Sequence, residues 1–441
     1  SFSRPFREGM FQEDRLRRLG DRRRGKWLET VVEDGPRWSA NTPPSELTDQ
    51  RVGAYDVPYG EPEEFISTPI TVHAILLLYA RTQPEADDWA AEVEAVLNPH
   101  GIAVVHRRRL VLDVEQAGFS REHFGFADAL SQPAPYDEKG HVTLEGQEVR
   151  EPHPVQGVPL GEFLIGYING HHEKAPGPVV PGDSQDRPVQ AGLLPHEEAQ
   201  GFYDLGLNGS FMVVRELKQH VAAFWKSMDK NAKAIQERDP ENSAHVTPDW
   251  LAERVVGRDR DGHLLCPGGK LKPDLLGYPD NDFLFLKKEG KYPYDPHGIG
   301  CPPGSHVRRA FPRDALAPSE EEGANLLAAA NNHRILRRGR KFGPTIKNPR
   351  EDDGEDRGLL FICLNTDIAR QFEFVQQTWL FNPDFATLFE EVDPLVGPDG
   401  RMTIREEPLR RTVHVETFVQ MAGGDYFFLP SLPALRYLEL L

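Results

Sequence analysis

The amino-acid sequence predicts an α+β fold, in which helices pack on antiparallel sheet, and three observations carry that prediction. The chain has 441 residues, 39% of them apolar, which is more than one ordinary core absorbs and suits two domains or two similar halves of one. Its second half reads strand (209–217), helix (218–228), strand (358–364), helix (368–380) and closing strand (418–429). Its first half starts the same way and stops short: strand 71–80 and helix 84–97 form a single unit, followed by strands at 102–114, 125–133 and 162–168.

Each element follows from a local pattern. Segment 71–80 (TVHAILLLYA) is a continuous apolar run between turn residues, as in a buried strand. In 218–228, Val221, Phe224 and Trp225 recur at i, i+3 and i+4 and mark a buried helix face. Strand 358–364 alternates, so that Leu359 and Phe361 share one face and Leu360 and Ile362 the other. Segment 170–195, rich in Pro, Gly and His, reads as a loop, and 229–303 as loops with short helices over the second sheet.

Composition excludes several function classes. A formal charge of −18 argues against a general nucleic-acid binder, whose affinity needs a cationic surface. No run of apolar residues reaches the length of a membrane-spanning helix, and the N-terminal SFSRPFREGM lacks an apolar signal core, so the chain reads as soluble. Three cysteines, Cys266, Cys301 and Cys363, with no CxxC spacing indicate neither a disulfide framework nor a structural zinc site and fit a reducing cytoplasm.

Three segments carry chemistry. In CPPGSHVRRAFPRDAL (301–316), His306 follows a Pro-Gly turn with Arg308, Arg309 and Arg313 beside it; it reads either as a metal ligand among cations that pair with an anionic group, or as ordinary surface. In HFGFADALSQP (123–133), Asp128 lies among small and apolar residues, either as the N-cap of a short helix through Ala129 and Leu130 or as a general acid-base group in a dry pocket. In NNHRILRRGRKFGP (331–344), Arg337 precedes a turn at Gly339 and reads as a surface basic hairpin or as a fixed charge over a reacting oxygen.

Together the three segments resemble the dye-decolorising peroxidases, and specifically the longer bacterial members of that family. The resemblance extends through FREGM (6–10), DRGLLFICLNTDIARQFEFVQQTW (356–379) and GGDYFFLPSLPALRYL (423–438), nearly the whole chain. It implies two ferredoxin-like halves enclosing a haem b, with 1–200 supplying the distal aspartate Asp128 and 201–441 supplying the iron ligand His306 and the distal Arg337. Arg308 and Arg313 are then expected at the haem propionates and Leu359 and Phe361 along the pocket wall. The implied activity is oxidation of dyes, phenolics or similar donors by hydrogen peroxide, and a homo-oligomer is compatible with it.

The chain departs from the family pattern in two places. The distal segment ends in glycine in the family and in Ala129 here, which matters if that position needs a positive φ. The strand-helix unit that usually precedes the FREGM-like stretch is lacking, so Ser1 is expected not to be the natural start. Glu416 and Asp384 are the candidates for a carboxylate behind His306. Trp379, Tyr426, Trp225 and Tyr437 are candidates for carrying electrons to surface donors, with ordinary packing as the other reading. His333 and the pair His171-His172 are further histidines, but the family segment points to His306. The competing functions are a haem-handling protein with little turnover and chlorite dismutation, for which no motif is present.

Overall fold

The computed structural model describes residues 2–40, 66–113, 119–137, 142–144, 147–149, 152–270, 281–288 and 294–441. Residue 114 of the expected strand 102–114, and 271–280 and 289–293 of the expected loop region, lie outside the described residues.

One mixed sheet organises the molecule. Its strands in chain order are β1 (Trp38–Ser39), β2 (Ile70–Thr71), β3 (Leu110–Val111), β4 (Ser210–Gln219), β5 (Leu336–Arg337), β6 (Arg340–Phe342), β7 (Gly358–Asn365) and, after a separate hairpin β8 (Gly400–Arg405) and β9 (Arg410–Val415), β10 (Val419–Leu429). In space they run β2-β1-β10-β4-β7-β6-β3, with β5 also on β7. The centre, β10-β4-β7 followed by β5 and β6, is antiparallel. Taken alone, the second half has the strand order 4-1-3-2 of a ferredoxin-like unit.

The sheet's period of two decides both cores. Leu360 and Ile362 of β7 point to one face and pack with Trp38, Met212, Val214 and Phe427. Cys363 points to the other, where Phe211, Val213 and Tyr426 meet Met10, Phe11 and Phe372, with Phe361 packed against them. The predicted helix at 218–228 begins later and runs further, Val221–Arg238, because β4 continues through Gln219. Its buried Phe224, Trp225 and Met228 join Leu251 and Val255 of helix Pro248–Val256 and Met402, Ile404, Val413 and Val415 of the β8–β9 hairpin. The predicted helix at 368–380 is present with π-type turns, Ala369–Glu373 and Val375–Leu380.

The first half differs more. Helix Gln83–Leu97 forms, opened by a capping box between Thr82 and Glu85, but the expected strands shrink to β2 and β3, which extend the ends of the same sheet. A strand needs a partner edge along its whole length. In 102–109 side chains instead converge on one anchor: His106 and Arg108 both bind Glu216. Segments 125–133 and 162–168 are irregular, with isolated bridges and a 3₁₀ turn at Leu160–Glu162. No described helix is long and apolar enough to cross a membrane.

Candidate active site

His306 opens the helix His306–Ala310, just after the Pro302-Pro303-Gly304 turn, with Ser305 as N-cap. Its Nδ1 meets Asp393 Oδ2 at 2.9 Å. Asp393 is fully buried, and its Oδ1 accepts the amides of Leu395 and Val396, both at 2.9 Å. Burial alone would raise this carboxyl; the His306 ring, the Val396 amide and Arg309 outweigh it and hold it below the ordinary aspartate value. An ionised carboxylate only accepts, so Nδ1 carries a proton and donates, which in the neutral ring leaves the lone pair on Nε2. Nε2 has no hydrogen-bond partner among the described residues.

Asp393 replaces both sequence candidates for this role. Glu416 faces Lys230 at 3.7 Å, and Asp384 is exposed with its amide on Asn382. The signal that could have found Asp393 is its turn: an aspartate ahead of Pro394 whose side chain caps the next two amides, the Asx-turn habit.

Arg309 fixes the helix that carries His306. Buried, it donates to the carbonyls of Trp379, Leu380 and Asn382 at 2.8, 3.3 and 3.1 Å and to that of Glu391 at 2.7 Å. These acceptors span the end of the 375–380 helix and the approach to Asp393. The His306 helix and the Asp393 loop are thereby held to one another.

Arg337 lies in β5 directly opposite Cys363 of β7, on the sheet face that also carries Leu359 and Phe361. Gly339 allows the hairpin to press on the sheet, since a Cβ there would sit 2.6 Å from the Leu360 carbonyl. Arg337 donates to the Ser131 carbonyl at 2.9 Å and its amide to Gln132 Oε1 at 3.2 Å, which docks the Asp128 segment on it. A cleft of about 20 Å³, room for about one water, runs between Asp128, Ala129, Ser120 and Glu122 on one wall and Gly339, Arg340 and Lys341 on the other.

Asp128 does not cap a helix; its segment is extended, with its amide on the Ser120 carbonyl at 2.8 Å. Ala129 has φ +61°, so the family's glycine is replaced at a position where a side chain is strained. Glu122, which sequence reasoning missed, lies in the same cleft. Its carboxyl accepts the amides of Phe124 and Phe126 and the Gln219 amide group. Burial, aided by the charge of Asp128, pushes it up to about 7 against those bonds.

The arginines sort differently from the sequence expectation. Arg308 is committed elsewhere, 2.9 Å from the Cys301 carbonyl, 3.5 Å from Asp295 and over the Phe285 ring. Arg313 lies 3.7 Å over Phe283 and 4.9 Å over Phe311, and Arg334, which was not singled out, lies 3.9 Å over the other side of that cluster at Phe311. Both are buried. Among the described residues neither these two nor Arg337 has a carboxylate within ion-pair reach. Burial with Arg258 and Arg334 nearby pushes Arg313 well below the usual arginine value, and burial with Arg337 nearby lowers Arg334 to about 9. Such a cluster lacks an anion.

Other candidates fall away. His333 stacks on Phe374 at 3.7 Å with Nδ1 on the Arg370 carbonyl. His171 and His172 are exposed. Trp379, Tyr426, Trp225 and Tyr437 are all buried and cannot meet a donor at the surface.

These residues define a class: an α+β protein with a carboxylate-backed histidine and buried guanidiniums short of carboxylates, a set of groups that fits a haem and its two propionates. No protein-family model matches the chain. It is 27% identical over 395 residues to the dye-decolorizing peroxidase of Mycena epipterygia, covering 82% of this chain and 65% of that one. It is 28% identical over 391 residues to the multifunctional dye peroxidase DyP2 of Amycolatopsis, covering 83% and 71%. Among solved structures, the Anabaena DyP-type peroxidase superposes with a TM-score of 0.59 at 21% identity, covering 99% of this chain and 75% of that one. Amycolatopsis DyP2 gives 0.53 at 25%, covering 80% and 69%. In sequence and in fold the chain is similar to dye-decolorising peroxidases. It spans 65% and 66% of the lengths of the relatives from Mycena epipterygia and Mycetinis scorodonius.

Proposed function

We propose that the chain is a haem peroxidase that uses hydrogen peroxide to oxidise dyes, phenolics or similar organic donors. The observation that carries this reading is the His306–Asp393 pair, together with Arg337 hydrogen-bonded to the Ser131 carbonyl of the segment that places Asp128 in its cleft. When bound, haem b supplies the redox chemistry that splits the O–O bond. His306 would hold it, Arg313 and Arg334 would meet its carboxylates, and Leu359 and Phe361 would wall it.

The protein's own groups then have distinct tasks. Asp393 fixes the His306 tautomer and raises the basicity of Nε2. Asp128 takes a proton from the peroxide and returns it to the departing oxygen, directly or through a water. Arg337, always charged, stabilises negative charge as it develops and is too weak an acid to move the proton itself. The distal acid belongs to half 1–200 and the iron ligand to half 201–441. The absence of disulfides at Cys266, Cys301 and Cys363 supports a cytoplasmic setting.

Haem reconstitution followed by peroxide and an anthraquinone dye tests the reading. Peroxide-dependent bleaching is expected, with kcat lowered at least about 100-fold in Arg337→Leu. Haem binding without any peroxide-dependent bleaching would refute it.

A further inference from the structure

The hairpin that carries Asp128 places a second carboxyl beside it. Arg121 and Ala127 form an antiparallel bridge, the Glu122 amide donates to the Phe126 carbonyl at 3.0 Å, and the Asp128 amide donates to the Ser120 carbonyl at 2.8 Å. Residues two apart share a face of such a ladder, so Glu122 and Asp128 are diagonal neighbours on one side, about 7–8 Å apart at Cα. Both line the same cleft, and no other carboxylate among the described residues does. Leu112 and Ala129, both exposed, line it too, so solvent reaches it.

The bonds of Glu122 leave one place for a proton. Oε2 accepts from the Phe124 amide at 2.7 Å and the Gln219 side chain at 2.6 Å, and Oε1 accepts from the Phe126 amide at 2.9 Å. A carboxyl offers about four such positions, so the acid proton falls on Oε1. The cations around the group are engaged elsewhere. Arg121 binds Asp261 at 2.7 Å, Arg260 binds Asp249 at 2.6 Å and Lys341 binds Asp113 at 3.1 Å. Arg340 donates to the Gly339 carbonyl at 2.9 Å, and Lys218, beside Gln219 on β4, meets Asp356 at 3.4 Å. His123 rests on the Phe342 carbonyl, where burial lowers it, and His220 on the Gln420 side chain. In this setting burial keeps Glu122 raised to about 7, so below that pH it holds a proton within the cleft.

We propose that Glu122 is the proton store of this cleft and passes its carboxyl proton to Asp128 while peroxide is reduced, which rests on the peroxidase reading above. Taking hydrogen peroxide to two waters breaks the O–O bond and consumes two protons and two electrons. The organic donors supply the electrons. Asp128 only shuttles the proton that the peroxide brings, so the consumed protons come from other groups. For one of them, the Glu122 Oε1–H bond breaks and an Asp128 O–H bond forms, directly or through a water, and Asp128 gives that proton to the oxygen that leaves as water. Solvent then refills Glu122, and the other proton comes from solvent or from a phenolic donor. Glu122 thus acts through Asp128, as a positioning residue for its proton.

Infrared titration of the haem-loaded protein, labelled with carbon-13 glutamate to set the carboxyls of haem aside, reads the store itself. Wild type should show the carbonyl stretch of a buried glutamic acid that fades with a midpoint of about 7 and shifts in D2O, and Glu122→Gln should lack it. Gln219→Met removes a donor that favours the ionised form and should move the midpoint up. The Gln219 Oε1 has no partner among the described residues, so that variant loses little else. Turnover of peroxide with ferrocyanide, a donor that brings no proton, should slow about tenfold per pH unit above the midpoint. Gln219→Met should shift this fall by the amount of its infrared shift, and Glu122→Gln should be slow throughout and lack the fall. Four results would each overturn the proposal and leave the peroxidase reading intact: no such band, a midpoint that Gln219→Met leaves in place, a fall in rate that does not follow the midpoint, or a wild-type rate profile in Glu122→Gln. A wild type that binds no haem, or reduces no peroxide at any pH, would overturn both.

Discussion

At the scale of single residues, Asp393 sets the character of His306. A neutral amide at its place can still accept from Nδ1 but no longer stabilises positive charge on the ring. Asp393→Asn is therefore expected to keep haem and to lose about 10- to 100-fold in peroxide reactivity or haem affinity, measured by stopped-flow and haem titration; unchanged values for both would remove Asp393 from the account. Ala129 makes the opposite kind of prediction. Its left-handed backbone costs about 1–2 kcal/mol, and glycine would return about 0.4–1 kcal/mol of that through the freedom of the unfolded chain. Ala129→Gly should thus stabilise by up to about 1 kcal/mol in urea denaturation, whereas a loss would mean that the methyl group packs usefully. The sequence showed that glycine was replaced here; only the backbone angle shows what the replacement costs. Asp393 was illegible for a different reason, since EEVDPLVG looks like an acidic surface turn until the fold lays it beside residue 306.

At the scale of elements, the helix of His306 is a single turn and too short to hold itself. Arg309 supplies what it lacks by donating to the carbonyls of Trp379 and Leu380 at the end of the 375–380 helix. Arg309→Met takes the guanidinium donor from the buried Trp379 carbonyl, while that of Leu380 keeps the Asp393 amide, and is expected to cost about 1–3 kcal/mol, with haem affinity falling alongside, as chemical denaturation and haem titration would show. A stability change within error would mean that α-helix and loop are registered by packing alone. Elements were legible where one pattern decides them. Strands β4, β7 and β10 alternate or run apolar for eight residues or more and were located within about two residues, the usual scatter at element ends. The strand runs 71–80 and 102–114 have the same composition, yet form ladders only at β2 and β3, because pairing depends on a neighbouring edge that a local pattern does not encode.

At the scale of the whole molecule, charge links the fold to the cofactor and to pH. Glu122, raised to about 7 from an ordinary 4.5, favours its protonated form in the folded protein. Its contribution to stability is complete below about 4.5 and is lost as pH rises through about 7. Wild type should therefore lose stability relative to Glu122→Gln over that window, read from melting temperatures at a series of pH values, and parallel curves would refute the shift. The guanidiniums of Arg313, Arg334 and Arg337 were visible in the sequence as basic residues, but their shortage of carboxylates emerges only once all three are buried or half-buried together. A ligand that brings carboxylates should raise the melting temperature through linkage, and haem dimethyl ester, which lacks the charges, should raise it less. Equal shifts would dissociate the cluster from the propionates. The central claim is that His306 carries the haem iron, and the most direct measurement is the visible absorption spectrum during haem titration of wild type and His306→Ala. The account predicts a stoichiometric Soret band typical of histidine-ligated haem in wild type and its loss or replacement by that of weakly held haem in the variant, with imidazole restoring it. An identical Soret band and haem content in His306→Ala would contradict it.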